Sequence, residues 1–161
     1  MSTLAYLLLG SNLGDRTARL AQARHDLAAT AGHLVGASAL YETAAWGVED
    51  QPAFLNQVLA VETGLDAPAL LAACLAAEQQ QGRERLVRWA ARTLDVDILL
   101  FGQEIIATPS LTVPHVALPV RRFALVPLAE LAPQLVHPQL HRTINQLLAD
   151  CPDQLEVTKI M

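Results

Sequence analysis

Of the 11 lysines and arginines in this 161-residue sequence only Lys159 is a lysine, so the Gly-rich segment GSNLGDR cannot end as a P-loop does, in Gly-Lys-Ser/Thr. Cysteine is scarce too: Cys74 and Cys151 stand far apart and form no close metal-ligand pair, so neither a disulfide framework nor a zinc site is suggested. Aromatic residues make up 4% of the chain, and the first apolar run contains none besides Tyr6, unlike sheets that stack RNA bases. No apolar run is long enough for a signal peptide or a membrane span, so a cytoplasmic protein without membrane attachment is expected. The net charge of -5 argues against general nucleic-acid binding.

What the chain has is apolar side chains, at 52%, enough for one substantial core, so a single domain over residues 1–161 is expected. Its positive charge is bunched. Arg83, Arg85, Arg88 and Arg92 lie in one short segment, and Arg121 and Arg122 in another. Such clusters in an acidic chain suit a small anionic ligand, although the charge run alone favours a solvated helix end with favourable dipole interactions.

The order of elements follows from apolar spacing. LAYLLLG (4–10) reads as a strand. Leu20, Ala23, Leu27, Ala28 and Ala31 recur at helical spacing up to Gly32. HLVGASALYET and FLNQVLAVET read as two strands that pair across the AAWGVEDQP loop. Asp66 and Pro68 suit the start of a second helix, ALLAACLAAEQQQ, that stops at Gly82. A further strand, RTLDVDILLF (92–101), follows. Strand, helix, strand, strand, helix, strand is the order of an α+β, ferredoxin-like βαββαβ antiparallel sheet with helices packed on it. EIIA suggests one more short strand, while RRFALVPLAELAP and HRTINQLLADCP predict additional C-terminal helices broken by prolines.

The last strand poses the chemical question. Alternation puts Asp95, Asp97 and Leu99 on one face and Leu94, Val96, Ile98 and Leu100 on the other. Carboxylates two residues apart stand roughly 7 Å apart along a strand, close enough to address one cation or a pair. In apolar surroundings they repel and lose hydration, so they need compensating charge. Magnesium supplies it, since it takes one or two carboxylates together with nucleotide phosphates. An exposed strand face, or ion pairs with nearby arginines, would also explain Asp-Val-Asp on its own.

The segments YLLLGSNLGDR, YETAAWGVEDQPAFLNQV, EQQQGRER, RWAARTLDVDILLFG, LTVPH and RRFALVPLAELAP run in order over nearly the whole chain. Together they resemble 6-hydroxymethyl-7,8-dihydropterin pyrophosphokinase of folate biosynthesis, most specifically through RTLDVDIL and LTVPH. The resemblance implies transfer of a pyrophosphoryl group from MgATP to the pterin hydroxymethyl oxygen, with AMP released. It implies Asp95 and Asp97 as ligands of two magnesium ions, and Arg83, Arg85 and Arg92 as catalytic companions. Around the nucleotide it implies Arg85, Trp89, Arg92, Ile98, Thr112, His115 and Arg121. For the pterin it implies Thr43, Ala44, Trp46, Phe54, Asn56, Asp95 and Phe123, where aromatic faces and an amide edge suit a flat heterocycle. The expected partners are these small molecules alone, with the chain a monomer. Departures from the family pattern fall mostly in one loop: Leu86 replaces a lysine, Ala90 and Ala91 replace Gly-Pro. Leu75 replaces a polar residue on the second helix, and Ala44 and Ala45 replace prolines in the pterin loop. A different metal-dependent phosphoryl transferase, or a non-catalytic ferredoxin-like binding module, are the rival readings.

Overall fold

A computed structural model describes residues 2–44, 53–81 and 94–160. The chain forms β1 (Thr3–Ser11), α1 (Arg16–Thr30), β2 (His33–Ala37), β3 (Tyr41–Thr43), β4 (Phe54–Thr63), α2 (Ala67–Gln80) and β5 (Asp95–Phe101). Then come β6 (Ile106–Ala107), β7 (Thr112–Val113), a 3-10 turn at Leu118–Val120, α3 (Arg122–Leu131), α4 (Ile144–Ala149) and β8 (Val157–Lys159). The main sheet runs in the order β5-β1-β4-β3-β8, with β2 also on β4, and every pairing is antiparallel. The fold is thus a mixed one, an antiparallel sheet with helices. β6 and β7 form a separate two-stranded sheet.

Local chemistry explains the helix boundaries. Asp15 caps α1 by accepting from the Ala18 N–H at 3.1 Å, and Asp66 caps α2 by accepting from Ala69 at 2.9 Å, with Pro68 in the first turn. Thr143 and Gln146 close a reciprocal capping box on α4. The buried stripes of α1 (Leu20, Ala23, Leu27) and α2 (Leu70, Cys74, Ala77) lie on one sheet face, against Leu7, Leu9, Leu59, Val61, Val96 and Ile98. The opposite face packs Tyr6, Leu8, Val58 and Ala60 against Leu125 and Leu128 of α3 and Ile144 and Leu147 of α4. Each fully buried leucine contributes about 1.5–3 kcal/mol of transfer free energy.

Three expectations need correction, and one strand was not anticipated. HLVGASALYET is two strands rather than one. The pairing with β4 shifts between Leu34 and Gly36, and the buried Ser38 then joins the ladder through its own N–H to Val58 O and its hydroxyl, which accepts from Val58 N. Pro127 does not break α3, which continues to Leu131; the proline only deprives the Phe123 carbonyl of its helical donor. Strict alternation along β5 fails because Leu99 is an extra residue between the Tyr6–Leu100 and Leu7–Ile98 pairs. This bulge turns Leu99 and Leu100 toward the same cluster, and Phe101 toward the other. Finally, the tail supplies an edge strand, β8, on β3.

Candidate active site

α3 and α4 cover only part of their sheet face. The remainder opens as a cavity of about 420 Å³, floored by Leu8 and Gly10 of β1, Asn56 of β4, and Asp95 and Asp97 of β5. One wall carries Thr43, Ala44 and Phe54; the other carries Ala117, Val120, Arg121 and Phe123. The floor is low for a definite reason. Gly10 sits opposite Asn56, and a Cβ on it would meet the Asn56 Nδ2 at 2.7 Å. The absent side chain leaves Asn56 its place beneath the cavity.

The polar atoms of this floor are unusual for a core. Asn56 is 3% exposed and spends its Nδ2 on Leu9 O at 3.2 Å, while its Oδ1 is buried without a partner. The Thr43 hydroxyl, also on a 3% exposed residue, is likewise unpartnered. Leaving such groups unsatisfied costs about 1–3 kcal/mol each, a cost that a ligand with matching polar edges removes. At the far wall the Arg121 guanidinium carbon lies 5.6 Å from the centroid of the Phe123 ring, within cation–π range. A polar heterocyclic edge, an aromatic face and an anionic group can therefore all be met in one hollow.

Asp95 and Asp97 both reach the cavity from β5, while Val96 and Ile98 between and beyond them point into the helix-covered core. The backbone N–H of Val96 donates to Glu78 Oε2 of α2 at 2.9 Å, pinning the strand between the two aspartates. Among the described residues no group of three or more His, Cys, Asp and Glu side chains could hold a metal. Two carboxylates on one cavity are oxygen donors of the type that a hard cation takes.

His115 follows the β7 strand, and its N–H donates to Leu99 O of β5 at 2.9 Å. Burial lowers its pKa, the Asp97 charge opposes that shift, and the Arg121 charge reinforces it. Its Nδ1 accepts from the Ala117 N–H at 3.2 Å, so the neutral ring carries its proton on Nε2, as a donor. The imidazole lies within the electrostatic reach of both Asp97 and Arg121 but does not line the cavity. Thr112 is exposed on β7. The Ile98 side chain is buried in the helix-side core, which leaves only its backbone for a ligand. Trp46, Arg83, Arg85, Trp89 and Arg92 lie outside the described residues, as do Leu86, Ala90 and Ala91.

The structure thus brings Thr43, Ala44, Phe54, Asn56, Asp95, Asp97, Arg121 and Phe123 into one hollow. Sequence reasoning missed Leu8, Gly10, Ala117 and Val120, whose small or apolar side chains carry no chemical signature. For Gly10 the one available signal was a glycine inside a run otherwise suited to a strand.

Comparison with known proteins bears on the family and the fold. Residues 6–133 match the family model described as 7,8-dihydro-6-hydroxymethylpterin-pyrophosphokinase. The chain is 47% identical over 135 residues to the 2-amino-4-hydroxy-6-hydroxymethyldihydropteridine pyrophosphokinase of Methylorubrum extorquens, a match covering 83% of this chain and 85% of that one. It is 46% identical over 151 residues to the Pseudomonas aeruginosa protein of the same name, covering 91% of each. Among solved structures, the wild-type HPPK-DHPS of Plasmodium falciparum with pteroate superposes with a TM-score of 0.75 at 17% identity, over 92% of this chain and 42% of that longer one. That likeness speaks for the fold alone.

Proposed function

The chain belongs to the 7,8-dihydro-6-hydroxymethylpterin-pyrophosphokinase family, and on that premise we propose that the cavity over β1, β4 and β5 is its active site. The chain is a kinase-type transferase that moves pyrophosphate onto 6-hydroxymethyl-7,8-dihydropterin in folate biosynthesis. ATP is the donor in this reading, and AMP the other product.

One observation carries the site assignment: two carboxylates share a hollow with buried, unpartnered Thr43 and Asn56 polar atoms and with two phenylalanines. Asn56 Oδ1 and the Thr43 hydroxyl are complementary to the amino and amide edge of a pterin. Phe54 and Phe123 offer it aromatic faces from two separate walls. Asp95 and Asp97 would hold magnesium, two ions in our reading, which when bound neutralises polyphosphate charge and orients oxygens for in-line transfer. Arg121 adds positive charge on the phosphate side, and the neutral His115 donates a hydrogen bond rather than accepting a proton. Arg83, Arg85, Trp89 and Arg92 complete the nucleotide end in this reading, with Trp46 on the pterin side, and Arg85 and Arg88 order over the phosphates once both substrates are bound. Catalysis then rests on positioning and electrostatics, with no dedicated base. In this reading the sheet order is ferredoxin-like and the chain is a single-domain, monomeric, cytoplasmic enzyme.

The decisive assay incubates the protein with ATP, magnesium and the hydroxymethylpterin and resolves the nucleotide products. AMP formed only when the pterin is present is the expected result. ADP, or product formation indifferent to the pterin, would overturn the proposal in favour of another phosphoryl transferase.

A further inference from the structure

The tail of the chain takes part in the hollow without touching it. Arg121 stands at the N-cap of α3 and offers no side-chain cap of its own. The missing acceptor comes from 31 residues downstream: Asp153, 8% exposed, accepts from the Arg122 N–H through Oδ2 at 3.0 Å. Its other oxygen, Oδ1, accepts from the Leu155 N–H, also at 3.0 Å. Both carboxylate oxygens are therefore committed, one to the start of α3 and one to the tail. Two residues beyond Leu155 the tail enters β8, where Val157 pairs with Thr43. The Ile160 N–H then closes on Leu40 O at 2.8 Å.

This connectivity joins the two walls of the cavity from behind. Thr43 stands on one wall; Arg121 and Phe123 flank Arg122 on the other. A carboxylate at a helix start satisfies an orphan N–H and interacts favourably with the helix dipole, so it fixes where the first turn lies. That turn decides where the Phe123 ring and the Arg121 guanidinium stand relative to Thr43.

We propose that Asp153 is a positioning residue of the active site, which sets the Arg121–Phe123 wall at its working distance from Thr43 through the β8 segment. The inference rests on the functional reading above. It makes a claim that a purely stabilising role would not: loss of the carboxylate changes substrate recognition in enzyme that remains folded.

The test uses the full chain with Asp153→Ala, Asp153→Asn and Leu27→Ala, the last a cavity in the helix-side core far from the hollow. Kinetics are taken well below each variant's Tm, alongside amide hydrogen exchange at Arg122 and Phe123. Asp153→Ala should raise the pterin KM about tenfold and Asp153→Asn, which keeps one acceptor, about threefold. Leu27→Ala should lower Tm and leave that KM unchanged. Exchange at Arg122 should quicken in both Asp153 variants. If the alanine variant does not fold, the asparagine variant decides by the same measurements. An unchanged pterin KM in a folded Asp153 variant, or an equal rise in Leu27→Ala, overturns the proposal. Wild-type protein that releases no AMP with the pterin would sink the functional reading, and the Asp153 proposal with it, whereas AMP release with an unchanged pterin KM in the variants would overturn the Asp153 proposal alone.

Discussion

The two faces of the sheet answer to different demands. Under α1 and α2 every inward position is filled: Leu7, Leu9, Leu20, Leu27, Leu59 and Leu70 are fully buried. On the other side, α3 and α4 close one end, and the rest exposes Asn56, Thr43, Asp95 and Asp97 to a hollow. The same strands serve both, since their residues alternate between faces. One face spends its side chains on packing, and the other forgoes packing to keep polar groups available to a ligand. Mutations should therefore separate cleanly into losses of stability and losses of activity.

The sharpest division is expected at Asp97. Asp97→Ala should reduce pyrophosphoryl transfer by roughly 10²–10³-fold or more while its circular dichroism and Tm stay near wild type, because the lost group serves ligands and not the core. Turnover at the wild-type rate would break the comparison. Leu59→Ala on the packed face should do the reverse, costing about 2–5 kcal/mol in denaturant titration with kcat preserved in the folded enzyme. A smaller effect belongs to Phe123→Ala, for which pterin affinity should fall about tenfold and ATP affinity less, by calorimetry. Equal losses for both ligands would undo the division of the hollow.

Two ionisable groups extend the contrast to pH. Burial, helped by the charges of Glu78 and Asp97, pushes the Cys74 thiol up to about 12. Native protein should accordingly show one rapidly alkylated cysteine near pH 8, the half-buried Cys151. A thiol kept neutral by folding also stabilises the native state up to its unfolded value of 9.0, a contribution lost as pH rises toward 12. His137 behaves oppositely. Burial first, then the charge of His141, lowers its pKa from 6.5, and its Nδ1 accepts from the Gln139 and Leu140 N–H groups. The unfolded chain takes up the proton first, so stability should fall as pH drops below 6.5, with a His137→Asn variant showing a flatter acid limb.

How much of this was legible in the sequence depended on how local the causes were. β1, α1, β4, α2 and β5 stand where periodicity and capping residues put them, because long regular runs bury a whole face and leave little choice of register. The division of residues 33–43 into β2 and β3, and the existence of β8, depend on Ser38 meeting Val58 and on Val157 meeting Thr43. Such short strands are set by partners far away in the chain, which local propensity does not register. The site divides similarly. Asp95 and Asp97 stood out because carboxylates in an apolar strand demand a reason, whereas Thr43, Asn56, Phe54 and Phe123 drew notice only through family resemblance. Gly10 gave only the hint of a glycine in a strand-like run, and Asp153 none, since one matters for atoms it lacks and the other for a helix 31 residues away.

The additional residue at Leu99 leads somewhere further. Midway along β5 it resets the in-and-out rhythm, so the carboxylate half and the apolar half of one strand keep independent phase. Insertions or swaps that suit the Leu100–Phe101 half can thus accumulate without rotating Asp95 or Asp97 out of place, and homologous chains with quite different cores at that end could retain identical chemistry at the other.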